Sequence, residues 1–328
     1  MPLRTSRMGE VDVLADLLHR ARVHNALVRQ LIQRPPWGMT FADSPPLPVA
    51  AALGGHAWIR LGDTTPVLLA AGDIALITAP GGYTITDEPG TAPQFLIRDG
   101  RKYLHTGTPA DLHPTLSPRT YGDGLAGATV MLRGAYDLHG SSASRLLALL
   151  PPLAVVPSGP RTQPALDLLA TETARDEPGQ EAVLARLLDL LLVITLRAWC
   201  TGPQASPPAW YQALTDPSIG EALRLLHDNP AHRWTVASLA TKVGLSRAAF
   251  AQRFTALVGQ PPLGYLTDWR MTIAADPLRD TQQTVATVAH QVGYRDPFAF
   301  SVAFKRARGH TPSAWRGPLA EVRHAVRT

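Results

Sequence analysis

Apolar positions along the chain change their period more than once. Over residues 10–20, Val13, Leu14, Leu17 and Leu18 recur at helical spacing among acids and bases, which predicts a short amphipathic helix. Residues 21–33 fit either a continuation of that helix or a strand pairing with its neighbours. Between Trp37 and Leu138 the pattern breaks into short apolar runs at residues 49–53, 56–61, 66–70, 73–78 and 128–132. Turns come from Gly54-Gly55, Gly62-Asp63, Ala71-Gly72-Asp73 and Gly81-Gly82. Short strands at roughly ten-residue intervals predict a small barrel or sandwich. Residues 88–124, rich in proline, glycine and charge, read as a long loop or irregular strands. Helical spacing returns at 145–150, 163–173 and 179–200. The last of these is apolar around most of its circumference, so it must be covered on several faces, as an interior helix or as a dimer interface. Residues 201–208 have the composition of a linker. Asp216-Pro217 then offers an N-cap and a first-turn proline for a helix ending near Asn229-Pro230.

The last third of the chain repeats itself. One copy carries Leu239-Ala240, Gly244-Leu245-Ser246, Phe250 and Phe254, followed by Gly259-Gln260-Pro261-Pro262. The other carries Val288-Ala289, Gly293-Tyr294, Phe300 and Phe304, followed by Gly309 and Thr311-Pro312. The glycines are 49 residues apart and the phenylalanines 50, so one residue is inserted in the second turn. Each copy reads as helix, glycine turn and helix, the helix-turn-helix arrangement. A helix presented in this way fits a DNA major groove, and two of them can read successive turns.

In the first copy Thr235 is placed to cap the leading helix and Ser246 the second, while Gly244 suits the left-handed position between them. Leu239, Val243, Leu245, Phe250, Phe254 and Leu257 fall at core spacing. Arg247, Ala248, Ala251, Gln252 and Thr255 face outward. Gln252 can bond an adenine edge, alanine methyls can meet thymine, and Arg247 and Arg253 suit phosphate.

Charge agrees with that reading. The 328 residues carry a formal charge of +5. Between Arg233 and Arg316, eleven Lys and Arg face four Asp, so this segment holds +7 and the remainder −2. Phosphate neutralisation supplies most non-specific DNA affinity, and the asymmetry places it in the repeated segment. A hydrophobic content of 45% with 17% charged residues excludes a disordered chain. Cys200 is the only cysteine, which excludes an intrachain disulfide and cysteine-rich zinc sites. Residues 1–22 lack the apolar stretch of a secretory signal. The greasiest run, 183–198, is interrupted by Arg186, Asp189 and Arg197 and is no membrane span. A cytoplasmic location is expected.

The stretch from Trp234 to Arg316 resembles the DNA-binding domain of the AraC/XylS family of transcriptional regulators. Besides the repeat, the carrying residues are Tyr265-Leu266, Trp269-Arg270-Met271, Phe304-Lys305-Arg306, Thr311-Pro312-Ser313 and Trp315-Arg316. The resemblance implies seven helices, with two helix-turn-helix units joined by a linker helix. It implies base-reading positions at Ala248, Ala251 and Gln252 in the first unit and around Phe298, Ser301 and Val302 in the second. Lys305 and Arg306 join Arg247 and Arg253 in the expected DNA-binding set. Three departures stand out. Asp276-Pro277 lies in the expected linker helix, where proline costs roughly 3 kcal/mol and bends the axis. Val302 stands where arginine is frequent, and Arg308 where an aromatic is usual. Both favour more specificity in the first unit than in the second.

The preceding strand-rich region resembles the cupin-like sensor domain found in many members of that family, through Trp37-Gly38, Trp58-Ile59-Arg60-Leu61 and the run from Gly72 to Ile77. A small barrel can enclose one ligand, and His56, Trp58 and Tyr83 are the expected lining. A metal-dependent cupin enzyme is the competing class. It needs clustered histidines with a carboxylate, whereas His56, His105 and His113 lack paired spacing. DNA alkylation repair needs an activated cysteine, and Cys200 ends a greasy helix beside Trp199.

The expected architecture is α+β: a cupin-like β-barrel with a helical extension (1–200), a linker (201–215) and an all-α domain with two helix-turn-helix units (216–328). The expected function is ligand-controlled, sequence-specific binding of double-stranded promoter DNA. No catalysis, metal or cofactor is expected. RNA polymerase and a second copy of the chain are further candidate partners. A regulator whose N-terminal domain only dimerises is the main alternative.

Overall fold

The computed structural model describes residues 12–316 except 22–23, 44, 80, 99–100, 109, 111–114, 123, 125 and 139. It divides into two compact units: Arg22–Leu138 with Leu147–Ser206, and Met1–Ala21 with His139–Leu146 and Pro207–Thr328.

The first unit holds two sheets. One contains β1 (His24–Gln33), β3 (Leu47–Gly54), β6 (Ile74–Ile77), β10 (Thr115–Ser117), β11 (Thr120–Gly122), β12 (Thr129–Asp137) and β13 (Leu153–Val156), in the order β10-β11-β1-β12-β3-β6-β13. The other contains β2 (Gly38–Phe41), β4 (Ala57–Arg60), β5 (Val67–Leu69), β7 (Tyr83–Thr86), β8 (Phe95–Arg98) and β9 (Arg101–Leu104), in the order β5-β4-β7-β2-β8-β9. Their inner faces share one core, with Trp37, Met39, Phe41, Ile59, Leu69, Tyr83 and Ile85 meeting Ala50, Ala52, Ala75, Ile77 and Met131. Alternation along each strand puts these side chains on one face, which makes the cupin-like barrel. The ambiguous segment 21–33 supplies the long strand β1, and the segment 88–124 supplies β8 to β11. β13 lacks a clear sequence signal because its four apolar residues sit between prolines. It forms by pairing antiparallel with β6.

Helices α3 (Thr162–Thr173) and α4 (Gln180–Thr201) pack on each other and on the larger sheet. α4 buries Leu184, Leu188, Leu191, Leu192 and Leu196. Val183 and Leu190, seven residues apart on one helix face, are 43% and 46% exposed. The greasy helix is therefore covered on one side and bare on another.

The second unit gathers α1 (Val13–Arg20) and all but the last residue of α2 (Ser141–Leu147) onto the C-terminal helices. These are α5 (Ala209–Ala213), α6 (Pro217–Asp228), α7 (Val236–Lys242), α8 (Arg247–Val258), α9 (Pro262–Asp280), α10 (Val285–Gln291), α11 (Pro297–Arg308) and α12 (Pro312–Trp315). The seven from α6 to α12 carry the repeat. Val13 and Leu17 of α1 enter the same core as Leu223, Phe250, Phe254, Tyr265 and Trp269. A separate core joins Met271, Ala274, Ala275 and Leu278 to Val288, Phe300 and Phe304. α9 thus serves both helix-turn-helix units, its first half in one core and its second half in the other. Pro277 leaves this helix continuous: it lies in the last turn, and its carbonyl accepts from the Thr281 amide. Asp276 accepts a 2.6 Å bond from the Ser141 amide at the start of α2. Leu257 departs from the core spacing and is 37% exposed, while Val258, one turn beyond Phe254, is buried in its place.

Candidate nucleic-acid interface

Both recognition helices, α8 and α11, begin on a side-chain cap. The Ser246 hydroxyl accepts from the Ala249 amide, and the Asp296 carboxylate accepts from the amides of Phe298 and Ala299. The preceding helices are capped in the same way, by Thr235 in a capping box with Ser238 and by Thr284. Each cap occupies donors that the helix itself leaves free.

Phe250, Phe254 and Val258 fasten α8 to its core, and Phe300 with Phe304 fasten α11. The opposite faces are open. Arg247, Ala248, Gln252, Arg253 and Thr255 are exposed on α8, with Ala251 half-buried at the edge. On α11 Phe298 is 76% and Val302 57% exposed, one turn apart, with Lys305 and Arg306 beside them. Large apolar side chains standing free at successive turns suit thymine methyls. Ser301 is half-buried and its hydroxyl donates 2.8 Å back to the Pro297 carbonyl. At the insertion-bearing turn, Gly293 adopts φ +84°.

Several supporting contacts have no local sequence signal. Arg253 donates two bonds, 2.5 and 3.0 Å long, to the Asp216 carboxylate that caps α6. Arg270 reaches the carbonyls of Pro230 and His232 at 2.7 and 2.8 Å. Arg308 donates 2.8 Å to the Thr272 hydroxyl, so it fills the usual place of an aromatic with a bond to the linker helix. Each contact joins elements distant in the chain, which periodicity cannot register.

The barrel candidates are not brought together. Tyr83 lies in the core, 2% exposed, stacked on Phe41 at 4.9 Å. Trp58 pairs with Thr86, while the adjacent Ile59 pairs with Ile85 in the core. Alternation therefore turns Trp58 to the opposite face from Tyr83. His56 is half-exposed and bonds Glu88 at 3.1 Å. His105 is exposed, and His113 lies outside the described residues. Among the described residues, no group of three or more His, Cys, Asp or Glu could hold a metal ion, and no helix is long and apolar enough to cross a membrane.

Two capped helix-turn-helix units on a shared helix, in one chain with a cupin-like barrel, define a DNA-binding regulator. Residues 12–201 match the family described as Cupin, and residues 239–317 match that described as Helix-turn-helix domain. An AraC-like transcription regulator of Streptomyces antibioticus is 32% identical over 93% of this chain and 98% of its own length. A protein of the same description from Streptomyces lividans is 33% identical over the same shares of each chain. The HTH-type transcriptional regulator AlkR of Acinetobacter baylyi is 29% identical over 80% of this chain and 85% of its own. The chain belongs to the AraC-like family of transcription regulators, with an N-terminal cupin-like domain and an AraC-type DNA-binding domain.

Proposed function

We propose that this regulator reads promoter DNA through Ala248, Ala251 and Gln252 of α8 and Phe298, Ser301 and Val302 of α11. In this reading Arg247, Arg253, Lys305 and Arg306 hold the phosphates. The observation that carries it is the pair of capped helices, each anchored by buried phenylalanines and bare on the opposite face. α9, at 1.5 Å per residue, is about 28 Å long, close to the repeat of about 34 Å between successive major-groove faces. The first unit carries more of the base discrimination, because Gln252 is free to bond whereas the Ser301 hydroxyl is committed to Pro297.

The barrel is the sensor in this proposal, and Tyr83 is the one of its three candidate residues that meets an effector inside it. Only an effector with different affinity for two arrangements of the protein can shift DNA binding. The bare face of α4 with Val183 and Leu190 supports a homodimer. The protein works in the cytoplasm beside RNA polymerase and performs no catalytic step.

The test is recovery of bound fragments from the source genome at two salt concentrations. A motif with half-sites about 10 bp apart is the expected result. Salt-sensitive binding without a shared motif would sink the reading.

A further inference from the structure

Two arginines on the inward-facing side of the larger sheet, Arg133 half-buried and Arg29 exposed, have no acidic partner among the described residues. On β12, Met131 pairs with Ala52 and Arg133 with Ala50, and Met131 and both alanines belong to the barrel core. Cross-strand partners share a face, so Arg133 points inward. Its guanidinium carbon lies 3.4 Å from the Phe41 ring centroid, and one terminal nitrogen donates 2.6 Å to the Tyr83 hydroxyl. Its Nε is buried and makes no hydrogen bond.

On the neighbouring strand β1, Arg29 stands in register with Arg133. Arg29 donates 2.9 Å to the Tyr121 hydroxyl and lies 5.3 Å over that ring. Directly opposed side chains on adjacent strands start only about 5 Å apart, and like charges there repel. Phenols and ring faces soften the repulsion without neutralising it. Among the described residues, neither arginine forms an ion pair. Arg133 is half-buried, and a cation so placed usually meets an anion; the guanidinium fork of Arg133 and of the exposed Arg29 matches carboxylate and phosphate oxygens.

We propose that the effector is a small organic anion whose carboxylate or phosphate bridges Arg29 and Arg133. This deepens the sensor reading of the barrel and rests on it. The chemistry needed is one planar or tetrahedral oxyanion on a compact apolar skeleton.

The experiment is thermal unfolding of the full chain at constant ionic strength with benzoate, octanoate or phenyl phosphate. Each is compared with a neutral control: benzamide, octanamide or phenol. At least one anion is expected to raise the Tm by about 3 °C, with its neutral control inert. Carboxylate and phosphate probes separate the two sources of the oxyanion. Arg29→Gln and Arg133→Gln are each expected to weaken binding at least about tenfold. Arg29→Gln should leave the ligand-free Tm unchanged or raised, because it removes one of two opposed charges. Equal shifts from amide and acid would overturn the anion while leaving a ligand-binding barrel. A shift that persists in Arg29→Gln, or no shift from any anion, would overturn it as well. Failure of the DNA-reading proposal shows separately, in the fragment recovery, which uses no effector.

Discussion

The Asp16 carboxylate lies 3.0 Å from Nδ1 of His227, fastening α1 to α6 inside the DNA-reading unit. An ionised carboxylate only accepts, so Nδ1 carries the proton. The neutral ring then accepts at Nε2 from the Tyr265 hydroxyl, 2.8 Å away. Burial pushes the Tyr265 phenol up to about 12, so it keeps the proton it donates. His227 also stacks on Trp269 at 4.2 Å, while Arg20 and Arg145 lie over the Trp269 ring at 5.6 and 5.3 Å.

This arrangement makes the unit acid-sensitive. Burial lowers the His227 pKa below its ordinary 6.5; the Asp16 bond and charge oppose the shift, and the nearby charges of Arg145 and Arg20 add to it. The unfolded chain therefore takes up a proton near pH 6.5 that the folded chain refuses. The stability from neutral His227 is complete above that pH and falls as pH drops through it. Burial raises the Asp16 pKa, but the His227 bond and Arg20 outweigh it and leave the pKa lowered, which adds a second loss below the ordinary carboxylate value of 3.8. Urea unfolding followed by tryptophan fluorescence should show a lower midpoint at pH 5.5 than at 7.5. His227→Gln should flatten that difference, and an equal difference in the variant would assign the pH effect elsewhere.

The two turns of the repeat should differ in tolerance. A Cβ on Gly293 would lie 2.4 Å from the Ala231 carbonyl oxygen, whereas one on Gly244 meets nothing within 4 Å. Both glycines have positive φ, +84° and +72°. Gly244→Ala should cost about 1 kcal/mol from backbone strain alone. Gly293→Ala should cost clearly more, because a backbone carbonyl must also move. Equal unfolding midpoints for the two variants would contradict this account.

Asp216 holds two donors of α6, the Ser218 and Ile219 amides, as well as Arg253. Asp216→Ala should lower stability by about 1 kcal/mol, measured by denaturant unfolding. Arg253→Ala leaves the cap intact and should hardly change that midpoint. Its effect is expected in DNA titrations, as a salt dependence shallower by about one unit.

Recognition residues separate by what they lose. On the recovered motif, Gln252→Ala should cost about 1–3 kcal/mol and relax preference at one base pair. Lys305→Ala should weaken all sequences alike and reduce the salt slope by about 1. Gel-shift titrations on matched and mutated sites distinguish the two. If Ser301→Ala abolished preference and Gln252→Ala did not, the order of the two units would be reversed.

The repeat was readable because its phenylalanines, glycines and capping residues all act within a few positions of one another. Ser246, Thr235 and Asp216 cap the helices their spacing predicts. β1 was ambiguous because its place depends on β11 and β12, about ninety and one hundred residues away. Leu257 and Val258 both satisfy helical spacing after Phe254, and only the neighbouring helices decide which is covered. Trp58 and Tyr83 read alike as aromatic lining, but strand register turns them to opposite faces. The Asp16–His227 and Asp276–Ser141 contacts tie segments with no common period, so a linear pattern carries no trace of them.

α1 and the start of α2 belong to the DNA-reading unit although they flank β1 and β12 in the chain. Topologically, the cupin-like domain is an insertion in the DNA-binding unit, and the polypeptide crosses between the two units several times. A protease cutting within residues 201–208 would sever one of those crossings and leave the others. A fragment beginning after the cut would retain both recognition helices. It would lose the lid that Val13 and Leu17 place over its core, and the ring of His227 would meet water.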